Sequence, residues 1–242
     1  ASCLSLSAFA GGHSKITVGY ITKSASNVGW IMINNGAADA AKEVGVELIT
    51  VGPAFQGDLP SQLEAFENLT SQGVNVIAVA PVSSSGIAPA VKAAMDAGIP
   101  VVAVDTGVTG AEVTSFVATD NFAVAEIQGQ EAAKLVKNGD KIIYVTGNQA
   151  QATGQERRDG FMKGFKRTHG NSEILIVPTE WVLEQAQAGV EALLNKHSDV
   201  KMVVNAWDDG TMGAKAALEN LGYGPGDVKL VGFDGATDAI VA

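Results

Sequence analysis

From Ile16 onward, short apolar runs rich in Val and Ile alternate with longer stretches whose apolar positions recur at helical spacing. The runs are Ile16–Ile21, Val46–Val51, Val74–Ala80, Val101–Val104, Ile142–Val145, Ile174–Val177, Met202–Val204 and Val228–Val231. They are apolar at nearly every position rather than at every second one, which predicts strands covered on both faces, as in a parallel sheet. Between them Ile33, Ala37, Ala40 and Val44 share one predicted helix face, as do Leu63, Phe66 and Leu69, and then Ile87, Val91 and Met95. Phe161 with Phe165 and Val190 with Leu194 repeat the i, i+4 stripe. Gly98 and Pro100 stop a helix after Ala97, and Gly170 and Gly222 end later ones.

The pattern is repeated β-α-β. Three predicted helices separate the strands from Ile16 to Val104, and four separate those from Thr114 to Val231, with a turn-rich break at Gly107–Glu112. This predicts an α/β protein of two similar lobes. Each set closes on a strand that runs into an aspartate, Val101–Asp105 and Leu230–Asp234. Ligands of open α/β sheets bind beyond the carboxyl ends of the strands, so these aspartates are functional candidates, although a turn cap accounts for either one alone.

Charge narrows the partners. Sixteen basic against 26 acidic side chains leave a formal net charge of -10, which repels nucleic acid and anionic lipid. A single cysteine, Cys3, excludes an intrachain disulfide and a cysteine metal cluster. No apolar run approaches the roughly 18 residues of a membrane-spanning helix. The uncharged stretch Ala1–Ala10 ends in Ala8-Phe9-Ala10, which reads as the tail of a signal peptide with an A-x-A cleavage site and predicts a periplasmic or secreted protein. Lipid anchoring through Cys3, or a disordered tail over residues 1–12, are the alternatives.

Several segments, taken in order, carry a resemblance: Gly19-Tyr20-Ile21 through Asn27 and Trp30, the Asp105 strand end, Ala118-Thr119-Asp120-Asn121, Arg157-Arg158-Asp159-Gly160-Phe161, and Val231-Gly232-Phe233-Asp234-Gly235. From about Lys15 to its end the chain resembles the type I periplasmic binding proteins of ribose-type sugar ABC transporters. The resemblance implies two doubly wound lobes, residues 13–117 and 118–242, hinged around a central cleft that closes on a sugar and hands it to a membrane permease. It also implies a C-terminal part of roughly fifty further residues, carrying a hinge crossing, a return strand of the first lobe and one sugar contact. Its ligand-binding positions fall on Asn27, Trp30, Asp105, Arg157, Trp181, Asp208 and Asp234. Thr106 stands where ribose binders carry arginine, Gly29 replaces one of two paired phenylalanines, and Trp207 replaces an asparagine, departures that weigh against ribose. Lys23 sits near the site, as in the related autoinducer-2 binders, but Gly154 replaces the aspartate that binds their ligand.

The residue types suit a neutral sugar. Carboxylates and a guanidinium fork match hydroxyl pairs, and aromatic faces match C–H surfaces. All three tryptophans, Trp30, Trp181 and Trp207, fall in or just after strand-end loops; any one alone reads first as a packing residue, and the three together favour the cleft. Arg157 is expected where a helix begins, against the dipole, which calls for a compensating partner; a surface pair of Arg158 with Asp159 or Glu156 is the plainer use of this charge run. One of Asp208 and Asp209 is expected to cap the helix that opens at Thr211, leaving Asp208 for the site.

Catalysis finds little support. His13 is in the tail, and His169 and His197 lie near helix ends. No G-x-S-x-G, phosphate loop or H-E-x-x-H occurs. No cofactor is expected, and metal has no His or Cys cluster to rest on, although scattered aspartates leave calcium open. The reading is a monomeric capture subunit of an importer for a monosaccharide or small polyol, with no nucleic-acid partner. Its rivals are the ligand-sensing domain of a LacI-type repressor, which would need a helix-turn-helix before Ile16, and a sugar-modifying enzyme, which would need a base or nucleophile.

Overall fold

A computed structural model describes residues 15–25, 27–53 and 57–240. The signal-peptide reading and Cys3 lie outside these residues. The chain builds β1 (Thr17–Ile21), α1 (Val28–Val44), β2 (Glu47–Val51), α2 (Leu59–Ser71), β3 (Val76–Val79), α3 (Ala88–Asp96), β4 (Val101–Val104) and β5 (Ser115–Val117). It continues through α4 (Asn121–Ala133), β6 (Lys141–Val145), α5 (Ala152–Lys166), β7 (Ile174–Val177), α6 (Leu183–Leu194), β8 (Val200–Asn205), α7 (Asp208–Asn220), β9 (Lys229–Val231) and α8 (Thr237–Ile240). Two sheets form, in the orders β2-β1-β3-β4-β5 and β7-β6-β8-β9, and every pairing is parallel. Both begin 2-1-3, the doubly wound order whose switch point opens a crevice at the strands' carboxyl ends. Two α/β lobes result, with residues 118–120 as the chain crossing between them among the described residues.

Each lobe has its own core. Ile21, Phe66, Leu69, Ile77, Val79 and Val91 anchor the first, and Ile142, Tyr144, Phe161, Phe165, Met202 and Val204 the second. In the second lobe, α4 and α5 touch backbone to backbone because neither carries bulk at the seam. A Cβ on Gly164 would lie 2.0 Å from the Glu126 carbonyl oxygen, and one on Gly129 would lie 2.4 Å from that of Phe161. In the first, buried Gln62 ties two strand ends together. Its Nε2 donates to the carbonyls of Thr22 and Ala80, and its Oε1 accepts from Val82 N at 3.0 Å.

Three expectations are corrected here. The strand near Thr114, grouped with the second set, is β5 and pairs with β4 in the first sheet; all three of its residues are exposed at the sheet edge. The inward stripe of α1 is not Ile33-Ala37-Ala40-Val44. It runs through Trp30, Asn34, Ala37, Ala38 and Ala41, and leaves Ile33 and Val44 exposed. Asn34 explains the misreading: it is polar yet faces inward, with Nδ2 donating to the Ser24 carbonyl. The third correction concerns Arg157. Helix α5 opens at Ala152, so Arg157 sits more than a turn inside it, where the dipole argument loses force.

Candidate functional site

Six of the nine chemistry-bearing side chains singled out above arrive at a carboxyl strand end. Lys23 follows β1, Asp105 follows β4, Trp181 follows β7, Trp207 and Asp208 follow β8, and Asp234 follows β9. Asn27 and Trp30 enter from the start of α1, and Arg157 from the second turn of α5. All nine of these residues line one interlobe cavity of about 420 Å³, together with Gly29, Met32, Ile33, Thr153, Asp209, Gly235 and Ala236. A larger hollow, about 650 Å³, runs along the outer edge of β9 and α7. It shares Asp208, Asp234 and Gly235 with the cleft and is lined by Tyr223 and Phe233, but it holds none of Trp30, Trp181, Trp207, Lys23 and Arg157, so the chemistry points to the interlobe cavity.

At one end of the cleft Lys23 is almost fully buried, and its ammonium meets three acceptors: Asp105 Oδ2 at 2.7 Å, Thr106 Oγ1 at 2.6 Å and Gln151 Oε1 at 2.8 Å. Three N–H donors meet three acceptors. Burial pushes the Lys23 ammonium below the ordinary lysine range, while the Asp105 charge opposes that shift. Burial would raise the Asp105 carboxyl, but the Lys23 charge, with hydrogen bonds from Lys23 and Thr106, outweighs it and holds it low. The ammonium also lies 5.4 Å from the centroid of the Trp30 ring.

At the other end, Arg157 supplies the compensation its charge requires. Its Nε donates to Asn121 Oδ1 at 2.9 Å and its Nη1 to the Ala206 carbonyl at 2.7 Å, and Nη1 pairs with Asp234 Oδ1 at 3.0 Å. The guanidinium lies 4.1 Å from the Phe233 ring and 5.7 Å from Trp181. Arg158 instead turns outward, to Asp159 and Gln149. Burial raises the Asp234 carboxyl above the ordinary aspartate range despite Arg157, with the Asp208 charge adding to the rise.

The aromatic walls rest on glycines. Trp181 meets Trp207 edge-on, with ring centroids 5.3 Å apart at 87°. A Cβ on Gly147 would lie 2.1 Å from the Trp181 ring, and one on Gly210 2.7 Å from Trp207. Trp207 is buried, and its Nε1–H has no hydrogen-bond partner among the described residues, a donor held at the wall of the cleft. Neither Asp208 nor Asp209 caps a helix opening at Thr211, because α7 begins at Asp208 and has no side-chain cap. Asp208 Oδ2 accepts from Ala236 N, and Asp209 Oδ2 accepts from Asn27 Nδ2 at 2.7 Å, across the lobes.

Backbone geometry marks the same place. Asp105 (φ 63°), Trp181 (φ 62°) and Asp234 (φ 72°) are the non-glycine residues in the left-handed region among those described. Such strain concentrates where a side chain must be aimed. Sequence reasoning missed Asp209 as a cleft residue, and it missed Thr153 and Gln151 altogether. Thr153 Oγ1 lies 2.6 Å from Thr106 Oγ1 and donates to the Asp105 carbonyl at 3.2 Å.

Two lobes with a polar, aromatic-walled cleft between them have the form of a solute-binding protein. Residues 18–242 match the model of the periplasmic binding protein domain family. The chain belongs to that family, in its ribose-type sugar ABC branch, and is a substrate-binding protein rather than an enzyme. It is 29% identical over 238 residues to the ribose import binding protein of Escherichia coli K12, spanning 98% of this chain and 79% of that one. It is 31% identical over 248 residues to the D-allose-binding periplasmic protein of the same organism, spanning 98% and 77%. An ABC transporter solute-binding protein of Mycobacterium smegmatis with bound glycerol superposes with a TM-score of 0.85 at 32% identity, over 95% of this chain and 78% of that one. No helix among the described residues is long and apolar enough to cross a membrane.

Proposed function

We propose that the protein captures a monosaccharide or small polyol between lobes 13–117 and 118–242 and delivers it to a membrane permease, working as a periplasmic or secreted monomer. The observation that carries this reading is the meeting of Trp30, Trp181 and Trp207 with Asp105, Arg157, Asp208 and Asp234 around one interlobe cavity. Indole faces favour sugar C–H surfaces, and carboxylates and the guanidinium match hydroxyl pairs. Lys23 and Arg157 are opposed in that cavity by Asp105, Asp208, Asp209 and Asp234, an excess of acid that disfavours sugar acids and sugar phosphates. The relatives named for ribose and D-allose support the class. The departures at Gly29, Thr106 and Trp207 favour a sugar other than ribose.

A thermal-shift screen against pentoses, hexoses, polyols and their acid and phosphate derivatives tests this, because a ligand that binds only the native state raises its melting temperature. Stabilisation by neutral members alone is the expected result. Stabilisation by the anionic derivatives alone overturns the reading.

A further inference from the structure

Gln151 belongs to no pattern in the sequence, yet it is 1% exposed at the seam between the lobes. It occupies the N-cap position of α5 with extended backbone (φ -105°, ψ 135°), and its side chain makes no capping bond. The amide is spent elsewhere. Its Oε1 accepts from Lys23 Nζ of the first lobe at 2.8 Å and from Trp181 Nε1 of the second at 3.0 Å. Its Nε2 donates to the Val82 carbonyl of the first lobe at 3.2 Å. The backbone on either side docks to Ser84: Ser84 N donates to the Ala150 carbonyl at 3.0 Å, and Ala152 N donates to Ser84 Oγ at 2.9 Å.

We propose that Gln151 is a positioning residue of the cleft, one carbonyl oxygen setting the Trp181 ring and the Lys23 ammonium relative to each other across the two lobes. The assignment rests on the sugar-capture reading of the same cleft. Two of the Lys23 hydrogens go to Asp105 and Thr106, and Gln151 takes the third, so the ammonium serves to hold Asp105 and the seam in place. The same oxygen orients Trp181, whose left-handed backbone leaves the ring dependent on outside support. Lobe closure and the pose of the aromatic wall thereby become one event.

The chain has three tryptophans, so its indole N–H groups give three nitrogen–proton NMR signals, and Trp181→Phe assigns one of them. In ligand-free Gln151→Leu, which removes both acceptor and donor, the Trp181 signal should move and its hydrogen should exchange faster while the other two hold. Gln151→Glu keeps the acceptor and should keep that signal near its place. With D-ribose, D-allose and glycerol as probes, whichever binds the native protein should bind Gln151→Leu about tenfold more weakly, the scale of one hydrogen bond to a charged group, and Gln151→Glu should recover part of the loss. An unmoved Trp181 signal in Gln151→Leu, or a moved signal with unchanged probe affinity, overturns the proposal. If Gln151→Leu does not fold, loss of the Trp181 signal in Gln151→Glu overturns it and retention supports it. Failure of every probe to bind the native protein counts against the choice of ligand, and the ligand-free signals still decide the role of Gln151.

Discussion

At the Lys23–Asp105 end of the cleft the cation is 4% exposed and the carboxylate 27%, and every ammonium hydrogen has a protein acceptor. At the Arg157–Asp234 end the cation is 10% exposed, the carboxylate 43%, and the guanidinium lies against aromatic rings. In the first pair the ammonium is a strut, saturated by the protein and set where both lobes meet, while Asp105 still lines the cleft. The second keeps an accessible carboxylate that can exchange a protein contact for a ligand hydroxyl. A cation in a binding cleft thus need not be a binding group, and its spare hydrogen-bonding capacity tells the two kinds apart.

The strongest test of the strut is Lys23→Met. Stranding one member of a buried pair costs about 3–5 kcal/mol, and the partial exposure of Asp105 places this case near about 3. A melting curve should fall by roughly 6–12 °C on the scale of a chain this long. Adding Asp105→Asn should return part of that loss, and a double variant no more stable than Lys23→Met would break the pairing argument.

Next in size are changes at the open end, read by calorimetric titration with the sugar that the screen selects. Asp234→Asn should cost about 1.5–3 kcal/mol of affinity, as charge-assisted hydrogen bonds are lost. Its ligand-free melting temperature should hold, because the carboxylate is partly exposed and its charged form is disfavoured by burial. Gly147→Ala pushes on the Trp181 ring from below and should weaken all ligands together by about 1 kcal/mol or more, the worth of an aromatic contact. Unchanged affinity in both variants would remove this end from the site.

Acid should separate the two ends more gently. Asp105 titrates below the ordinary aspartate value, so its stabilisation is complete above the unfolded value near 3.9 and lost as the pH falls through its lower folded value. Asp234 titrates above that range and takes up its proton first. On acidification, sugar affinity should decline before the melting temperature does. The reverse order would mean that the two carboxylates have exchanged roles. The smallest effect belongs to Arg158→Ala: its exposed pair with Asp159 should be worth within about 1 kcal/mol, with affinity unchanged.

Much of the architecture was legible because strands buried on both faces leave nearly unbroken Val and Ile runs, and Val101–Val104 and Ile174–Val177 were delimited to the residue. Ser115–Val117 carries no such mark, since an exposed edge strand has no face that must be apolar. The phase of α1 was misread because Asn34 turns inward to a backbone carbonyl, which a hydrophobic count cannot anticipate. In the cleft, residues at strand ends were found from their position. Gln151 was not, because its three partners lie at Lys23, Val82 and Trp181, and a glutamine ahead of a helix looks like any other polar residue.

Glycine is the cheapest occupant of left-handed backbone, and a bulky aromatic ring among the least suited. At Asp105 the route to glycine is closed, because it strands the buried Lys23 ammonium, but at Trp181 and Asp234 random substitution has an easy route to relaxed backbone that leads away from the cleft's chemistry. Selection of this protein for heat resistance alone, with no demand for a bound ligand, should drift first toward glycine or asparagine at Trp181 and Asp234. A library sorted for both traits should keep their side chains and gather its stabilising changes elsewhere. Trp181 and Asp234 are where thermal fitness and capture of a solute pull the sequence in opposite directions.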